Sequence, residues 1–193
     1  MYKYYDNTLK KESVNLAPGE FFVSSEDIII NTILGSCVAV ALYDPELKAA
    51  GLNHFMLAES KTPHTAGSVF NIERYGLYAM DALINGFIKR GSRRSRLQAK
   101  IFGGSSVLES SGGKMNIGAD NIAFAEEYLS AENIPVINHD TGGDRARRIY
   151  LFPQSFRVLL RRIQPGSQLR RQMDSYRTRL EQIKGRGGDS ILF

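Results

Sequence analysis

The sequence predicts an α+β fold, a sandwich of mostly antiparallel strands with two main helices, and three observations carry that expectation. Eight short apolar runs end at turn residues, as strands do. Before residue 164, only two segments place apolar residues at helical spacing. Strands fall before, between and after those two helices, which puts the helices on one side of the sheets.

Taken in order, the first strands are expected at Glu20 to Val23 and Asp27 to Ile30. Val38 to Tyr43 and Ala50 to Leu57 follow, and Tyr43-Asp44-Pro45-Glu46-Leu47-Lys48 reads as the hairpin turn between them. A long helix is expected from Asn71 to Arg90, where Ile72, Tyr75, Leu77, Tyr78, Met80, Leu83, Ile84 and Phe87 recur at helical spacing. After a strand at Gln98 to Phe102, a second helix from Ile117 to Asn133 turns Ile122, Ala125, Tyr128 and Leu129 inward. Strands at Val136 to Asp140, Arg148 to Phe152 and Arg157 to Ile163 complete the series. Aromatic stripes on such helices belong to a core more often than to a binding site.

Size and composition narrow the class. A chain of 193 residues with 42% apolar and 23% charged residues suits one domain with a substantial core. A single cysteine forms no disulfide within the chain, in keeping with a reducing compartment. Met1-Tyr2-Lys3-Tyr4-Tyr5-Asp6 lacks the apolar core of a signal peptide, and no apolar run approaches the roughly 18 residues of a membrane span. The expected location is therefore the cytoplasm, without membrane insertion.

The net charge of +5 is unevenly spread. Residues 1–144 hold 13 basic against 17 acidic side chains, and residues 145–193 hold 12 against 3. From Gln164 the apolar pattern thins, and Arg170 through Lys184 is compatible with a basic amphipathic helix before Gly185-Arg186-Gly187-Gly188. Residues 1–163 are thus expected to form the domain and residues 164–193 a basic, partly disordered tail. A charge run is usually a solvated face, so nucleic acid is not an expected partner.

The chemistry concentrates around Cys37. It lies in Leu34-Gly35-Ser36-Cys37-Val38-Ala39-Val40, where a Gly-Ser turn meets an apolar run and delivers the thiol to the start of a strand. His54 lies in the next run, Gly51-Leu52-Asn53-His54-Phe55-Met56-Leu57, and a short hairpin would bring the two together. A thiol is mostly protonated at neutral pH, and an imidazole that takes its proton makes a competent nucleophile. A lone cysteine and a histidine on an apolar strand are otherwise ordinary core residues, and the pair alone does not choose between these readings. Thr32 and Ser36 flank the thiol, and a hydroxyl accepting the second ring N–H would fix the tautomer of a catalytic imidazole.

Other motifs exclude more than they assign. Gly103-Gly104-Ser105-Ser106 and Gly112-Gly113-Lys114-Met115 lack the Gly-Lys-Ser/Thr continuation of a phosphate-binding loop. Thr141-Gly142-Gly143-Asp144-Arg145 reads as a tight turn or as a wall of a cleft. His54, His64 and His139 are scattered and Cys37 has no partner at zinc-ligand spacing, so no metal site is expected.

In chain order, Leu34 to Val40, Asn53-His54-Phe55-Met56-Leu57, Lys100-Ile101-Phe102-Gly103-Gly104, Met115-Asn116-Ile117-Gly118 and Asp140-Thr141-Gly142-Gly143-Asp144-Arg145-Ala146-Arg147 resemble the CheD family of chemoreceptor glutamine deamidases. The resemblance covers residues 20 to 163. It implies an αββ sandwich similar to the catalytic domain of cytotoxic necrotizing factor, and a cytoplasmic chemotaxis enzyme that hydrolyses receptor glutamines to glutamates and releases ammonia. It also implies a Cys-His-Thr constellation, carried here by Cys37 and His54, with Thr32 as the best match for the threonine and Asn31 beside it. Gly35, Ser36, Asn53, Gly103, Gly104 and Thr141 would line the substrate and oxyanion pocket. No cofactor is needed for this chemistry. The implied partners are chemoreceptor cytoplasmic helices and a CheC-type phosphatase, and the alternative activity is that of an adaptor with little turnover.

Overall fold

In a computed structural model, residues 1–57, 69–106 and 117–163 are described, with side chains described at all of these except 69–75. Among the described residues there are ten strands, two α-helices and one 3-10 turn at Arg94–Arg96. The strands are β1 (Tyr2–Asp6), β2 (Lys11–Asn15), β3 (Phe21–Ser24), β4 (Ile29–Leu34), β5 (Val38–Asp44), β6 (Ala49–Asn53), β7 (Gln98–Gly103), β8 (Val136–Thr141), β9 (Ala146–Phe152) and β10 (Arg157–Ile163). Helix α1 (Val69–Ile88) lies between β6 and β7, and α2 (Ile117–Ala131) between β7 and β8.

The strands form two five-stranded sheets. The first runs β1-β2-β4-β9-β10 and the second β3-β6-β5-β7-β8. All neighbours are antiparallel except β2 with β4 and β7 with β8. Both helices pack on the second sheet, α1 against β3, β5 and β6 and α2 against β5, β7 and β8. The order across the molecule is helices, second sheet, first sheet, as the α+β sandwich reading expects.

Strand β5 shows why its sequence is continuously apolar. A strand covered on both faces has no solvent side to alternate toward. Val38, Val40 and Leu42 join Met80, Leu83, Ile84 and Phe87 of α1 in the helix-side core. Cys37, Ala39 and Ala41 turn the other way, toward Ile30, Leu34, Ile149 and Leu151 of the first sheet. The two cores therefore lie back to back on the two faces of the second sheet, with β6 and β7 also contributing to both.

The hairpin from β5 to β6 forms where expected. Asp44 Oδ1 accepts the Glu46 and Leu47 N–H groups at 2.9 and 3.2 Å, and Lys48 takes the left-handed φ of 47° that closes the turn. Burial alone would raise the Asp44 carboxyl, yet the Ser92 hydroxyl, the two turn N–H groups and the Arg96 guanidinium together hold it below its ordinary range.

Three expectations are corrected. Strands β1 and β2 were not anticipated. β4 begins later than Asp27 and runs on through Thr32 to Leu34. β6 stops at Asn53, so His54 stands just beyond the regular ladder instead of inside a strand reaching Leu57. The expected tail, residues 164–193, lies outside the described residues, as do His64 and Gly112-Gly113-Lys114-Met115.

Candidate active site

Strand register decides which residues meet. Ala41 pairs with Leu52 in the β5–β6 ladder, and the same register reappears where Val38 and Phe55 exchange both backbone hydrogen bonds at 2.9 Å. Ala39 is thereby opposite His54, and Cys37 is the diagonal neighbour of His54 on the same face. Such diagonal positions lie roughly 7–8 Å apart at Cα, within reach of longer side chains. Both side chains are buried in the layer between the sheets.

The ladder is pried open at this point by Asn53. In the alternation set by Val38 and Phe55, Val40 and Asn53 would be the next hydrogen-bonded pair. Instead the Val40 N–H goes to the Asn53 side-chain Oδ1 at 2.8 Å. Asn53 Nδ2 continues to the Ala79 carbonyl at 3.2 Å, on the helix side of the sheet. Its side chain is thus on the face opposite His54 and ties β5 and β6 to α1, in place of the pocket position the sequence suggested.

His54 is held on all sides by the segment before β3. Its N–H donates to the Glu20 carbonyl at 2.9 Å, and its carbonyl accepts the Gly19 N–H at 2.7 Å. From the first sheet, Thr32 Oγ1 lies 2.7 Å from His54 Nδ1 and 2.8 Å from the Leu16 carbonyl. A hydroxyl has one proton, and a carbonyl can only accept. Thr32 therefore donates to Leu16 and accepts from His54, which puts the imidazole proton on Nδ1. The lone pair is left on Nε2, a buried atom without a hydrogen-bond partner among the described residues. Asn31 points away from this layer, its amide engaged with Asn15, Ser13 and Tyr4.

Burial sets the protonation states. It pushes the Cys37 thiol up to about 12, opposed by the thiol's own backbone N–H. It pushes His54 down to about 4, opposed by the Leu16 carbonyl and the Glu20 charge. The resting site thus holds a neutral thiol and a neutral imidazole.

The turn that carries Cys37 is pinned through its carbonyls. The Gly35 carbonyl accepts both the N–H and the Oγ–H of Ser105 at 2.8 Å, and the Cys37 carbonyl accepts the Gly104 N–H at 2.8 Å. Gly103, the last residue of β7, and Gly104 after it have φ of 109° and 67°, conformations that favour glycine. At Gly103 a Cβ would also collide with the Cys37 carbonyl oxygen. The Gly103 carbonyl in turn accepts the Gly142 N–H at 2.9 Å, and Thr141 sits opposite Gly103 at the end of the β7–β8 pair. Ser36 Oγ lies 3.8 Å from Met56 Sδ, away from the imidazole that Thr32 serves.

Two residues that the sequence did not single out complete this shell. Asn121 of α2 donates from Nδ2 to the Ser36 carbonyl at 2.8 Å and accepts the Leu57 N–H on Oδ1 at 2.7 Å. Arg147 of β9, opposite Leu34, is buried with its guanidinium on the Asp140 carboxylate and the Asp140 and Gly142 carbonyls. No spacing rule marks either, because their partners lie on other elements. Among the described residues no cluster of three or more His, Cys, Asp or Glu could hold a metal ion.

Comparison with known proteins places the chain among named relatives. The family described as CheD chemotactic sensory transduction matches residues 56–162. A Bordetella avium protein named "Probable chemoreceptor glutamine deamidase CheD" is 43% identical over 92% of this chain and 77% of its own length. Proteins from Methylobacillus flagellatus, with the same name, and Shewanella oneidensis, named as CheD 1, are 40% and 41% identical. They cover 95% and 99% of this chain, and 91% and 92% of their own lengths. A solved structure of Bacillus licheniformis hypothetical protein YfiH has a TM-score of 0.40 at 16% identity over 62% of this chain and 49% of its own. That likeness is too slight to bear on fold or function.

Proposed function

This chain belongs to the CheD family, and we propose that it hydrolyses the side-chain amide of chemoreceptor glutamines to glutamate, with Cys37 as nucleophile, His54 as acid and base, and Thr32 as orienting acceptor. The observation that carries the reading is the Thr32–His54 contact, which leaves the lone pair on Nε2, a buried atom without a hydrogen-bond partner among the described residues.

The neutral resting pair shapes the mechanism. His54 Nε2 takes the Cys37 proton as sulfur attacks the glutamine carbonyl carbon, so the transfer accompanies attack instead of preceding it. The carbonyl oxygen becomes an oxyanion facing the Ser36 and Cys37 N–H groups of the Gly35 turn. When the C–N bond breaks, Nε2–H gives its proton to the leaving nitrogen and ammonia departs. Water, deprotonated by the same Nε2, then attacks the thioester. The C–S bond breaks, the thiol recovers its proton, and glutamate is left. Gly103, Gly104 and Thr141 wall the site behind the nucleophile, and no step calls for a cofactor. We take residues 1–163 as the catalytic unit, acting in the cytoplasm.

Mass spectrometry of a co-expressed chemoreceptor tests the reading through the Gln-to-Glu mass change. Cys37→Ala and His54→Ala should each abolish both that change and ammonia release while keeping the wild-type melting transition. Wild-type turnover in either variant removes the mechanism. A second reading is favoured by one observation, the burial that makes the resting thiol hard to ionise. In it the protein is an adaptor that binds receptor, or a CheC-type phosphatase, with little turnover. Receptor binding without any Cys37-dependent ammonia release would choose that reading.

A further inference from the structure

The Cys37 turn has an arrangement that the three-residue constellation leaves unexplained. Three successive carbonyls, of Gly35, Ser36 and Cys37, are each bonded by a group outside the turn: Ser105, the Asn121 amide and the Gly104 N–H. In a trans peptide the N–H points opposite to the carbonyl, and no cis peptide is present among the described residues. Drawing the Ser36 carbonyl toward α2 therefore turns the Cys37 N–H the other way, toward its own thiol.

We propose that Asn121 is a positioning residue for the oxyanion site, its carboxamide fixing the Ser36–Cys37 peptide so that the Cys37 N–H faces the reacting carbonyl. This role rests on the deamidase reading above. Asn121 is fully buried, and its two ends cannot be exchanged. The Ser36 carbonyl needs a donor and the Leu57 N–H needs an acceptor, so each partner fixes one end of the amide. One side chain thereby ties the residue before the nucleophile to the segment that follows the base. Its offset from Ser36 is 85 residues, which explains why no local motif displays it.

Asn121→Asp separates this role from simple support of the fold. When ionised, the carboxylate has the same shape and still accepts the Leu57 N–H but has no proton for the Ser36 carbonyl, so the rates are read across a pH series that ionises this buried carboxyl. Attack on an amide passes through an oxyanion, whereas alkylation of Cys37 by iodoacetamide does not. In the full-length protein kcat for ammonia release should fall on the order of 10- to 100-fold, short of the loss from deleting an oxyanion donor outright. KM and the rate of Cys37 alkylation should stay at wild-type values. Equal losses in kcat and alkylation, or an unchanged kcat, would overturn the proposal. Should Asn121→Asp lose the melting transition, Asn121→Ser is read by the same two rates, since its short hydroxyl cannot span both partners. A wild-type protein that releases no ammonia overturns the deamidase reading and this role with it. Wild-type turnover with an indifferent Asn121 overturns this role alone.

Discussion

At the scale of single residues, the site is governed by burial. His54 is neutral in the folded protein down to about pH 4, whereas an exposed histidine takes a proton near 6.5. The unfolded chain therefore binds a proton that the folded chain refuses, and stability falls as pH drops from about 6.5 toward 4. The full loss is on the order of 3 kcal/mol for a shift of this size. Denaturant unfolding at acid and neutral pH should show this extra acid sensitivity in the wild type and lose it in His54→Asn. Equal acid sensitivity in both proteins would mean that His54 is solvated. Thr32→Val removes the acceptor of the Nδ1 proton but keeps the shape, so turnover should drop by about 10- to 100-fold without vanishing. An unchanged rate would take the tautomer role away from Thr32. The thiol, the imidazole and the threonine could all be named from the sequence, because a Gly-Ser turn, an apolar hairpin and a five-residue offset are local signals. Asn121 could not, and Ser105 and Arg147 stood in quoted motifs without a role. Each acts on a segment that folding brings near, and the value of a buried amide or guanidinium depends on what it faces.

At the scale of elements, legibility follows how much of each strand is enclosed. The β5–β6 hairpin was readable because both of its strands are buried and its turn uses Asp-Pro-Glu with a left-handed lysine. Strand β1, Tyr2–Asp6, is a mostly exposed strand whose one ladder partner among the described residues is β2, and its mix of tyrosines and charges shows no apolar alternation. The early end of β6 was hidden for a different reason. Asn53 replaces a backbone bond with a side-chain bond, and nothing in the apolar run announces that exchange. The Gly103–Gly104 segment could be seen as a place for close backbone approach, but its partner, the Cys37 carbonyl, could not. Gly103→Ala is thus a test of how the element supports the site. It forces a Cβ onto a positive φ and against the Cys37 carbonyl, and should cost on the order of 2–3 kcal/mol of stability. Activity should fall further than stability requires, because the atom that must move belongs to the nucleophile's own peptide. A variant with wild-type melting and wild-type turnover would show that the β7 end does not brace the turn.

At the scale of the whole molecule, all ten strands and both helices of the described residues are complete by Ile163. The described residues run to Ile163, and both apolar cores are built from them. Residues 1–163 hold 19 basic against 17 acidic side chains, while residues 164–193 add 6 against 3, so the tail supplies +3 of the net +5. In the first sheet Arg147 and Arg162 share Asp140, which leaves Arg161 of β10 as an exposed positive charge close to the point where the tail begins. A charge added there can steer an acidic helical partner toward the body without entering the pocket, and such steering weakens within a Debye length of about 8 Å at physiological salt. A chain ending at Ile163 should therefore keep its cooperative melting and its kcat. It should bind a chemoreceptor cytoplasmic fragment more weakly, with a shallower dependence of affinity on salt. Unchanged affinity and salt slope would show that the tail takes no part in docking, and loss of the melting transition would make residues 164–193 part of the fold.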